Sequence, residues 1–266
     1  MRIEEILSQL KGQGKKGLII YITAGDPNLK VTEALVCAIA KAGADIIELG
    51  IPFSDPLADG VTIQHASERA LSVDTNIPKI LSTIVKIREK TAIPLALMTY
   101  YNPIYHYGLE RFARESKEVG VDGFIVPDLP LEENEEFQNI TDKRGIELVS
   151  FLTPTSTLER ISAIVQKARG FIYCVSVLGV TGVRKEFSME IIEMLEKIKQ
   201  YTNKPLAIGF GISNPEQVRE AAKYADAVIV GSAIVKLIEN YRGDLPTMSQ
   251  QVTSFVKSLK EVLINK

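Results

Sequence analysis

The sequence predicts an α/β fold in which eight strands and their helices close into one barrel, and three observations support it. Short β-branched apolar runs recur along the whole chain, eight in all. Segments with helical spacing separate these runs, which implies parallel strand pairing with right-handed crossovers. The length of 266 residues also suits one such barrel, since these barrels typically have about 250 residues.

The alternation of strands and helices can be followed from one end of the chain to the other. The predicted strands are Gly17–Thr23, Asp45–Leu49, Leu95–Thr99, Gly123–Val126, Glu147–Leu152, Phe171–Val175, Leu206–Ile208 and Ala227–Val230. The predicted helices are Val31–Ala42, Pro78–Lys90, Leu109–Val119, Glu132–Arg144, Leu158–Lys167, Met189–Gln200, Pro215–Lys223 and Met248–Ile264. The start of the helix at Pro215 is signalled by Ser213 to Glu216, which supply a capping residue, a proline and an acid.

The first nine residues form a charged amphipathic segment, for which we expect an extra N-terminal helix. The whole pattern predicts a single eight-stranded (β/α) TIM barrel that occupies residues 1–266 as one domain, because no linker-like break divides it. An open doubly wound sheet is the alternative. It lacks support, since no G-x-G-x-x-G motif follows the first strand.

Composition and charge exclude several other classes of protein. The 31 basic and 33 acidic residues leave a net charge of −2, so nothing global points to nucleic acid or an anionic membrane. No apolar run approaches the roughly 20 residues that span a bilayer, and the N-terminus lacks the apolar core of a signal peptide. We therefore expect a soluble, cytoplasmic protein. Cys37 and Cys174 lie within apolar patterns and are interpreted as buried free thiols, with a disulfide between them as the alternative.

Glu48 is the most unusual residue at the carboxyl ends of the predicted strands, where barrels of this kind carry their reactive groups. Side chains alternate along a strand, so Glu48 shares a face with Ile46 while Ile47 and Leu49 share the other. A carboxylate among apolar residues is costly unless it is paired or protonated. Glu48 is therefore either a buried structural acid that caps a neighbouring backbone or pairs with an arginine, or a proton-transfer group with a raised pKa.

Asp59 lies in the loop after the second strand, which is rich in proline and small residues. It is either a turn-forming aspartate before Gly60 or a second carboxylate that faces Glu48 across the barrel mouth. Two carboxyl groups in different surroundings could divide acid and base work between them.

Glycines cluster after the last three strands, in Gly179–Gly182, Gly209–Gly211 and Gly231–Ser232. Backbone amides of these loops commonly hold a phosphate in this fold, with help from a helix N-terminus. Tight turns are the alternative explanation of each glycine taken singly. Together the three groups predict a phosphate site.

Two other kinds of chemistry lack the residues they require. A Schiff-base aldolase needs a lysine at a strand end, and the predicted strand ends carry none. A metal-dependent lyase needs clustered histidines or acids, and the two histidines, His65 and His106, are interpreted as surface imidazoles. The remaining chemistry is acid–base catalysis on a phosphate-bearing substrate, without a metal or a covalent lysine.

The segment Glu48–Gly60 (ELGIPFSDPLADG) closely resembles the signature of the tryptophan synthase alpha-subunit family. The resemblance extends along the whole chain. It includes the segments Thr23–Pro27 (TAGDP), Met98–Pro103 (MTYYNP), Pro127–Pro130 (PDLP), Gly179–Gly182 (GVTG) and Gly209–Ser213 (GFGIS). Val61 departs from the family pattern, in which proline is usual, but this change removes no reactive group.

The resemblance implies a retro-aldol cleavage of indole-3-glycerol phosphate to indole and glyceraldehyde 3-phosphate. It implies Glu48 as the general acid that protonates C3 of the indole ring, and Asp59 as the group that stabilises the positive ring nitrogen. The group that removes the glycerol hydroxyl proton stays open, with Glu48 after its first transfer as one candidate. The family also implies a beta subunit as partner in an alpha2beta2 heterotetramer. Pyridoxal phosphate is expected in that partner, and no cofactor is expected in this chain.

The resemblance further assigns supporting roles to matched positions of this chain. Thr181 would contact Asp59 when its loop closes, and Tyr173 would lie beside Glu48. Phosphate-binding positions are Gly182, Gly211, Gly231 and Ser232. Indole-pocket positions are Tyr21, Met98, Tyr100, Ile125, Phe210 and Ile229. Partner contacts are Pro52, Phe53, Asp55, Asn102 and Pro103.

Two other functions remain as alternatives. A phosphate-binding isomerase or epimerase could use the same glycine loops, but it would not need an aromatic pocket built from Tyr21, Tyr100 and Phe210. A catalytically idle barrel that only activates a beta subunit should lack one of the two carboxylates, and both are present.

Overall fold

The residues that the structure describes form a closed barrel of eight parallel strands, which confirms the predicted fold. The computed structural model describes residues 2–175, 189–209 and 211–264. Within these ranges the strands are β1 (Gly17–Thr23), β2 (Ile46–Gly50), β3 (Leu95–Met98), β4 (Gly123–Ile125), β5 (Glu147–Leu152), β6 (Ile172–Val175), β7 (Leu206–Gly209) and β8 (Ala227–Val230). Each strand pairs with the next in chain order, and β8 pairs with β1 to close the sheet.

The helices surround this barrel. Over the same ranges they are α1 (Arg2–Gly12), α2 (Leu29–Ala42), α3 (Val61–Ser72), α4 (Ile77–Arg88), α5 (Tyr101–Tyr107), α6 (Leu109–Glu118), α7 (Glu135–Asp142), α8 (Leu158–Lys167), α9 (Met189–Lys199), α10 (Pro215–Tyr224), α11 (Ser232–Asn240) and α12 (Leu245–Ile264). Where an element was predicted, its observed ends differ from the prediction by at most three residues. The capping signal before α10 is confirmed, because the Asn214 side chain accepts a hydrogen bond from the Gln217 amide.

Three short helices, α3, α5 and α11, were not predicted. The buried face of α3 consists of Ala66, Ser67 and Ala70, so this helix carries no periodic row of large apolar side chains. Helix α5 has seven residues and includes Pro103, which makes it resemble a turn in sequence. Helix α11 begins directly after Gly231, where the sequence pattern indicates a strand-end loop.

The strands have two different faces, as the alternation around Glu48 predicts. Ile46 belongs to the apolar cluster inside the barrel. Ile47 and Leu49 belong to the larger cluster between the strands and the helices. Glu48 therefore points into the barrel, with the register partners Tyr21 of β1 and Ala96 of β3 on either side.

The N-terminal helix α1 closes the amino end of the barrel. Its side chains Ile3 and Leu7 are buried in the interior cluster. Two strand glycines make room for them: a Cβ atom on Gly17 would lie 2.6 Å from Leu7, and one on Gly123 would lie 2.7 Å from Ile3. The Glu147 carboxylate accepts a hydrogen bond of 3.1 Å from the Glu4 amide in the first turn of this helix.

The two cysteines are both free thiols in this structure. Cys174 is buried, as the sequence predicts, whereas Cys37 is only half-buried because it lies at the solvent edge of α2. Among the described helices, none has both the length and the apolar character that crossing a membrane would require.

Candidate active site

A cavity of about 250 Å³ opens at the carboxyl ends of the strands and contains both predicted catalytic carboxyl groups. Its described lining is Tyr21, Glu48, Ala58, Asp59, Gly60, Ile63, Met98, Tyr173, Gly211, Ile212, Ile229, Gly231 and Ser232. The structure therefore brings together residues from six strands or the segments that follow them, which lie far apart in sequence. Polar and apolar groups converge here as they do in small-molecule sites.

Glu48 is almost completely buried, with 1% of its surface exposed. Its Oε2 atom has no hydrogen-bond partner among the described residues. Burial raises the pKa of Glu48 to about 8, and the nearby charge of Asp59 adds to this effect. Glu48 is therefore mostly protonated at neutral pH, which is the state that a general acid needs.

Asp59 is half-buried in the loop between β2 and α3. Burial raises the pKa of Asp59 to about 6, and a hydrogen bond from Tyr100 opposes that rise. Asp59 is thus mostly ionised at neutral pH, while Glu48 keeps its proton. Two carboxyl groups with separated pKa values in one cavity form the pattern expected of a paired acid and base.

Tyr100 holds the loop that carries Asp59. Its hydroxyl accepts a hydrogen bond of 2.9 Å from the Ala58 amide and bonds to the Asp59 carboxylate. Its ring contacts Phe53, at a centroid distance of 5.6 Å. The resemblance places Tyr100 in the indole pocket; in the structure its hydroxyl contacts the Asp59 loop, and it is not among the described lining residues of the cavity.

Two tyrosines flank Glu48, and each lies over a glycine of the neighbouring strand. A Cβ atom on Gly50 would lie 2.2 Å from the Tyr21 hydroxyl, and one on Gly209 would lie 2.5 Å from the Tyr173 hydroxyl. These glycines are required because any side chain would collide with the rings. Burial raises the pKa of both tyrosines well above the ordinary value, so both remain neutral donors.

Another part of the cavity lining is suited to an anion. Gly231 and Ser232 line it at the N-terminus of α11, and no described side chain caps this helix. Unpaired amides and the helix dipole favour negative charge at such a position. Gly211 also lines the cavity and has a φ of +78°, a conformation that favours glycine.

The remaining predicted pocket residues fall into three groups: those that line the cavity, those that are buried away from the described lining, and those outside the described residues. Met98 and Ile229 line the cavity. Ile125 is buried in the interior cluster and is absent from the described lining. Thr181, Gly182 and Phe210 lie outside the described residues.

Sequence reasoning missed four lining residues: Ala58, Gly60, Ile63 and Ile212. Each lies within four residues of a predicted site residue. The available signal was therefore proximity to Asp59 and Gly211 in the chain. Ile63 is in the first turn of α3, where its amide donates to the Gly60 carbonyl at 2.9 Å, so recognising this helix would have pointed to it.

Four of the five predicted partner-contact residues lie together beside this site. Pro52, Phe53, Asn102 and Pro103 line a surface groove of about 420 Å³. Asp55 is not part of the described lining; its carboxylate accepts a hydrogen bond of 2.5 Å from Ser54. The groove is next to Tyr100, since Phe53 contacts the Tyr100 ring.

Both histidines are exposed, His65 on α3 and His106 on α5. Within the described ranges, no cluster of three or more histidine, cysteine, aspartate or glutamate residues has the arrangement of a metal site.

A closed (β/α) barrel with a protonated and an ionised carboxyl group in one strand-end cavity belongs to the class of acid–base barrel enzymes. Comparisons with known proteins narrow this class. The family model for tryptophan synthase alpha chain matches residues 7–264. This chain therefore belongs to the tryptophan synthase alpha chain family.

Individual relatives agree with the family match. An alpha chain from a Thermoanaerobacter species is 51% identical, over 98% of this chain and 99% of its own length. One from Geotalea uraniireducens is 48% identical, over 97% and 96%. The solved tryptophan synthase subunit alpha of Legionella pneumophila superposes with a TM-score of 0.91 at 37% identity, covering 100% of this chain and 99% of the other.

Proposed function

We propose that this chain cleaves indole-3-glycerol phosphate to indole and glyceraldehyde 3-phosphate, with Glu48 and Asp59 dividing the proton transfers. The alpha reaction of tryptophan biosynthesis is the activity of the family to which the chain belongs. The observation that carries the proposal is the pair of carboxyl groups in one cavity, one with its pKa raised to about 8 and the other to about 6.

The first chemical step is protonation of the indole ring. An indolyl carbanion is a poor leaving group, so C3 must gain a proton before the bond to the glycerol carbon breaks. Glu48 donates that proton, and the ring nitrogen becomes positive as its lone pair forms a double bond to C2. Asp59 compensates this charge and accepts the N–H proton. An ionised carboxylate in a cavity shielded from water is effective at this task.

The second step breaks the carbon–carbon bond. The electron pair of the bond moves into the ring and on to the nitrogen, which takes its proton back from Asp59. Indole is thereby released, and the glycerol carbon becomes the aldehyde carbon. The hydroxyl group on that carbon must lose its proton. We assign this role to Glu48, because it is a carboxylate after the first transfer and its Oε2 atom has no partner among the described residues.

The other lining residues position the substrate. Met98 and Ile229 provide apolar walls for the indole ring, and Tyr21 adds an aromatic one. The amides at Gly231 and Ser232 would receive the phosphate at the start of α11. The glycerol chain would then lie between the phosphate position and the two carboxyl groups.

We further propose that the groove around Phe53 and Pro103 receives a tryptophan synthase beta subunit in an alpha2beta2 assembly. Exposed apolar side chains near the groove support this surface, since Leu57 is 91% exposed and Tyr105 is 66% exposed. A solved relative from Mycobacterium tuberculosis, 29% identical over 98% of this chain and 99% of its own with a TM-score of 0.87, is described as tryptophan synthase in an aminoacrylate-bound form.

Pyridoxal phosphate in such an assembly would belong to the beta subunit. Its usual attachment is a Schiff base with a lysine, and the described lining of this chain's cavity contains no lysine. The residues here therefore do not fit that cofactor.

The proposal is tested by an indole-release assay on indole-3-glycerol phosphate, with and without a beta subunit. We expect indole from the wild-type chain. Glu48→Gln should abolish release while substrate binding persists, because the amide keeps the shape but cannot act as the acid. Glu147→Gln is the matched control, since Glu147 is a buried barrel carboxyl group at the opposite end. Activity of Glu48→Gln within about tenfold of wild type would refute the assignment of Glu48 as the acid.

A sugar-phosphate isomerase is the second candidate, supported by the same phosphate end of the cavity. Incubation with a triose or pentose phosphate separates the two functions. Turnover of the sugar phosphate without indole release would favour the isomerase, and the reverse result would exclude it.

A further inference from the structure

A second cavity, of about 410 Å³, lies beside β5, α8 and the loop that follows β4. In its described lining it shares no residue with the candidate active site. Leu148 of β5 and Ile164 of α8 line it and belong to the apolar layer between the strands and the helices. Phe151 of β5 also lines it, and its ring stacks on Tyr173 of the active-site cavity at a centroid distance of 4.9 Å. The two cavities are therefore neighbours with separate described linings.

The cavity contains a polar side chain with unmet hydrogen-bonding capacity. Asn134 lines it and is 7% exposed. Its Oδ1 atom has no hydrogen-bond partner in the part of the chain that the structure describes. A buried amide without a partner carries a desolvation cost, which a bound polar group would remove. The Asn134 side chain ends in an NH₂ donor and a carbonyl oxygen acceptor. Rotation of this amide group therefore lets it pair with an acceptor or with a donor on a bound molecule.

A positive charge lies in the same lining. Arg160 of α8 is 40% exposed, and its guanidinium donates to Glu132 at 2.5 Å. Glu132 is 61% exposed, and ion pairs this exposed contribute little. A carboxylate in the cavity could therefore replace Glu132 as the partner of Arg160. The hydroxyls of Thr153 and Ser156, 3.3 Å apart, also line the cavity and can donate to the same group.

We propose that this cavity is a binding site for a small aliphatic monocarboxylate. The carboxylate pairs with Arg160 and the Asn134 amide, and the aliphatic body contacts Leu148 and Ile164. The volume lies within the range of ordinary small-molecule pockets. A single negative charge is favoured over a phosphate dianion, because the acidic group of Asp128 belongs to the same lining.

The test follows the isoleucine methyl signals of the full chain by NMR during titration with isocaproate. Isocaproamide, the uncharged analogue of nearly the same shape, is the control ligand. We expect a saturable shift of the Ile164 methyl with the acid and at least about tenfold weaker binding of the amide. The methyl signal of Ile229 in the active-site cavity should stay unchanged.

Three variants, each with a different expected effect on isocaproate affinity, test the proposed contacts. Arg160→Gln should weaken isocaproate binding about tenfold, since the charged partner is lost. Glu132→Gln should strengthen it, because the competing carboxylate is removed. Arg114→Gln, a change to an exposed arginine of α6 that also pairs with a glutamate, should leave it unaltered.

Several outcomes would overturn the proposal. They are the absence of a saturable Ile164 shift in both the wild type and Glu132→Gln, equal binding of acid and amide, and shifts at Ile229 in place of Ile164. Indole release should be unchanged in all three variants. Failure of this site and failure of the proposed catalytic function are therefore separate results.

Discussion

At the residue scale, the separated pKa values of Glu48 and Asp59 predict how activity depends on pH. The reaction needs Asp59 ionised and Glu48 protonated. As pH rises through about 6, Asp59 loses its proton and kcat/KM should increase. As pH rises through about 8, Glu48 loses its proton and kcat/KM should decrease. Steady-state kinetics across this range should therefore give a bell-shaped profile; a flat profile up to high pH would contradict the role of Glu48.

Tyr100 gives a second prediction at this scale. Tyr100→Phe removes the hydroxyl that bonds to Asp59 and to the Ala58 amide. Because that bond opposes the rise in the pKa of Asp59, its loss should move the acidic limb of the profile to higher pH. We expect kcat/KM at neutral pH to fall about tenfold, which corresponds to about 1.4 kcal/mol.

A matched change to a tyrosine outside the site provides the control. Tyr105→Phe alters an exposed hydroxyl on α5 and should leave the whole profile unchanged. An acidic limb of Tyr100→Phe that coincides with the wild type would show that the hydroxyl does not tune Asp59.

At the scale of elements, one buried ion cluster joins three segments that support the site. Arg69 of α3 donates two hydrogen bonds of 2.8 Å to Asp26 in the loop after β1, and a third of 3.1 Å to Glu239 of α11. Helix α3 follows the Asp59 loop, and α11 starts at the proposed phosphate position, Ser232. The cluster therefore links the helix that follows the Asp59 loop to the helix that begins at Ser232.

Arg69→Met should lower the free energy of unfolding by about 3 kcal/mol, because it leaves Asp26, only 1% exposed, as a buried unpaired charge. Denaturant unfolding measures this loss. The control is Lys79→Met, which breaks an exposed pair with Asp74 and should cost less than about 1 kcal/mol. An equal decrease in the free energy of unfolding of the two variants would show that the buried Arg69–Asp26 pair contributes no more to stability than an exposed pair.

At the scale of the whole molecule, the barrel has one end for stability and one for chemistry. Leu7→Ala should lower the free energy of unfolding by about 2–5 kcal/mol, since Leu7 is buried at the amino end where α1 closes the barrel. Its kcat should remain close to that of the wild type because the reactive groups lie at the other end. Unfolding and indole-release measurements on the same preparation check both halves of this prediction.

Leu158→Ala is the corresponding control, because Leu158 is 53% exposed and its truncation should cost little. A large loss of kcat in Leu7→Ala at temperatures where the variant is fully folded would contradict the separation of the two ends.

Much of this arrangement could be predicted from sequence because it follows from periodicity. Alternation along β2 was enough to place Glu48 on the face of Ile46 and away from Ile47 and Leu49, and the order of strands and helices was enough to predict the closed barrel. The contact between Tyr100 and the Asp59 loop could not be predicted in this way. It depends on the path of an irregular loop, which hydrophobic periodicity does not report.

Helix α3 was missed for a related reason. Its buried face is built from small side chains that leave no hydrophobic pattern. The lining residue Ile63 depends on this helix, so it was missed as well. Helix α11 does bury large apolar residues, Ile234, Val235 and Ile238, but it begins directly after a glycine that the sequence analysis assigned to a strand-end loop. Periodicity reports how much apolar surface an element buries, and an element whose buried face consists of small side chains escapes it.

The buried Glu48 carboxyl group, whose Oε2 atom has no hydrogen-bond partner among the described residues, has a consequence for adaptation. A buried acid whose pKa is higher in the folded chain than in the unfolded chain binds its proton more tightly when folded, so folding stability declines as pH rises from about 4.5 through about 8. A partner for Glu48 would remove this penalty, but it would also lower the pKa on which the acid role depends. Selection for thermal or alkaline tolerance therefore has to act elsewhere in the molecule, and the amino end closed by α1 offers the freedom to do so.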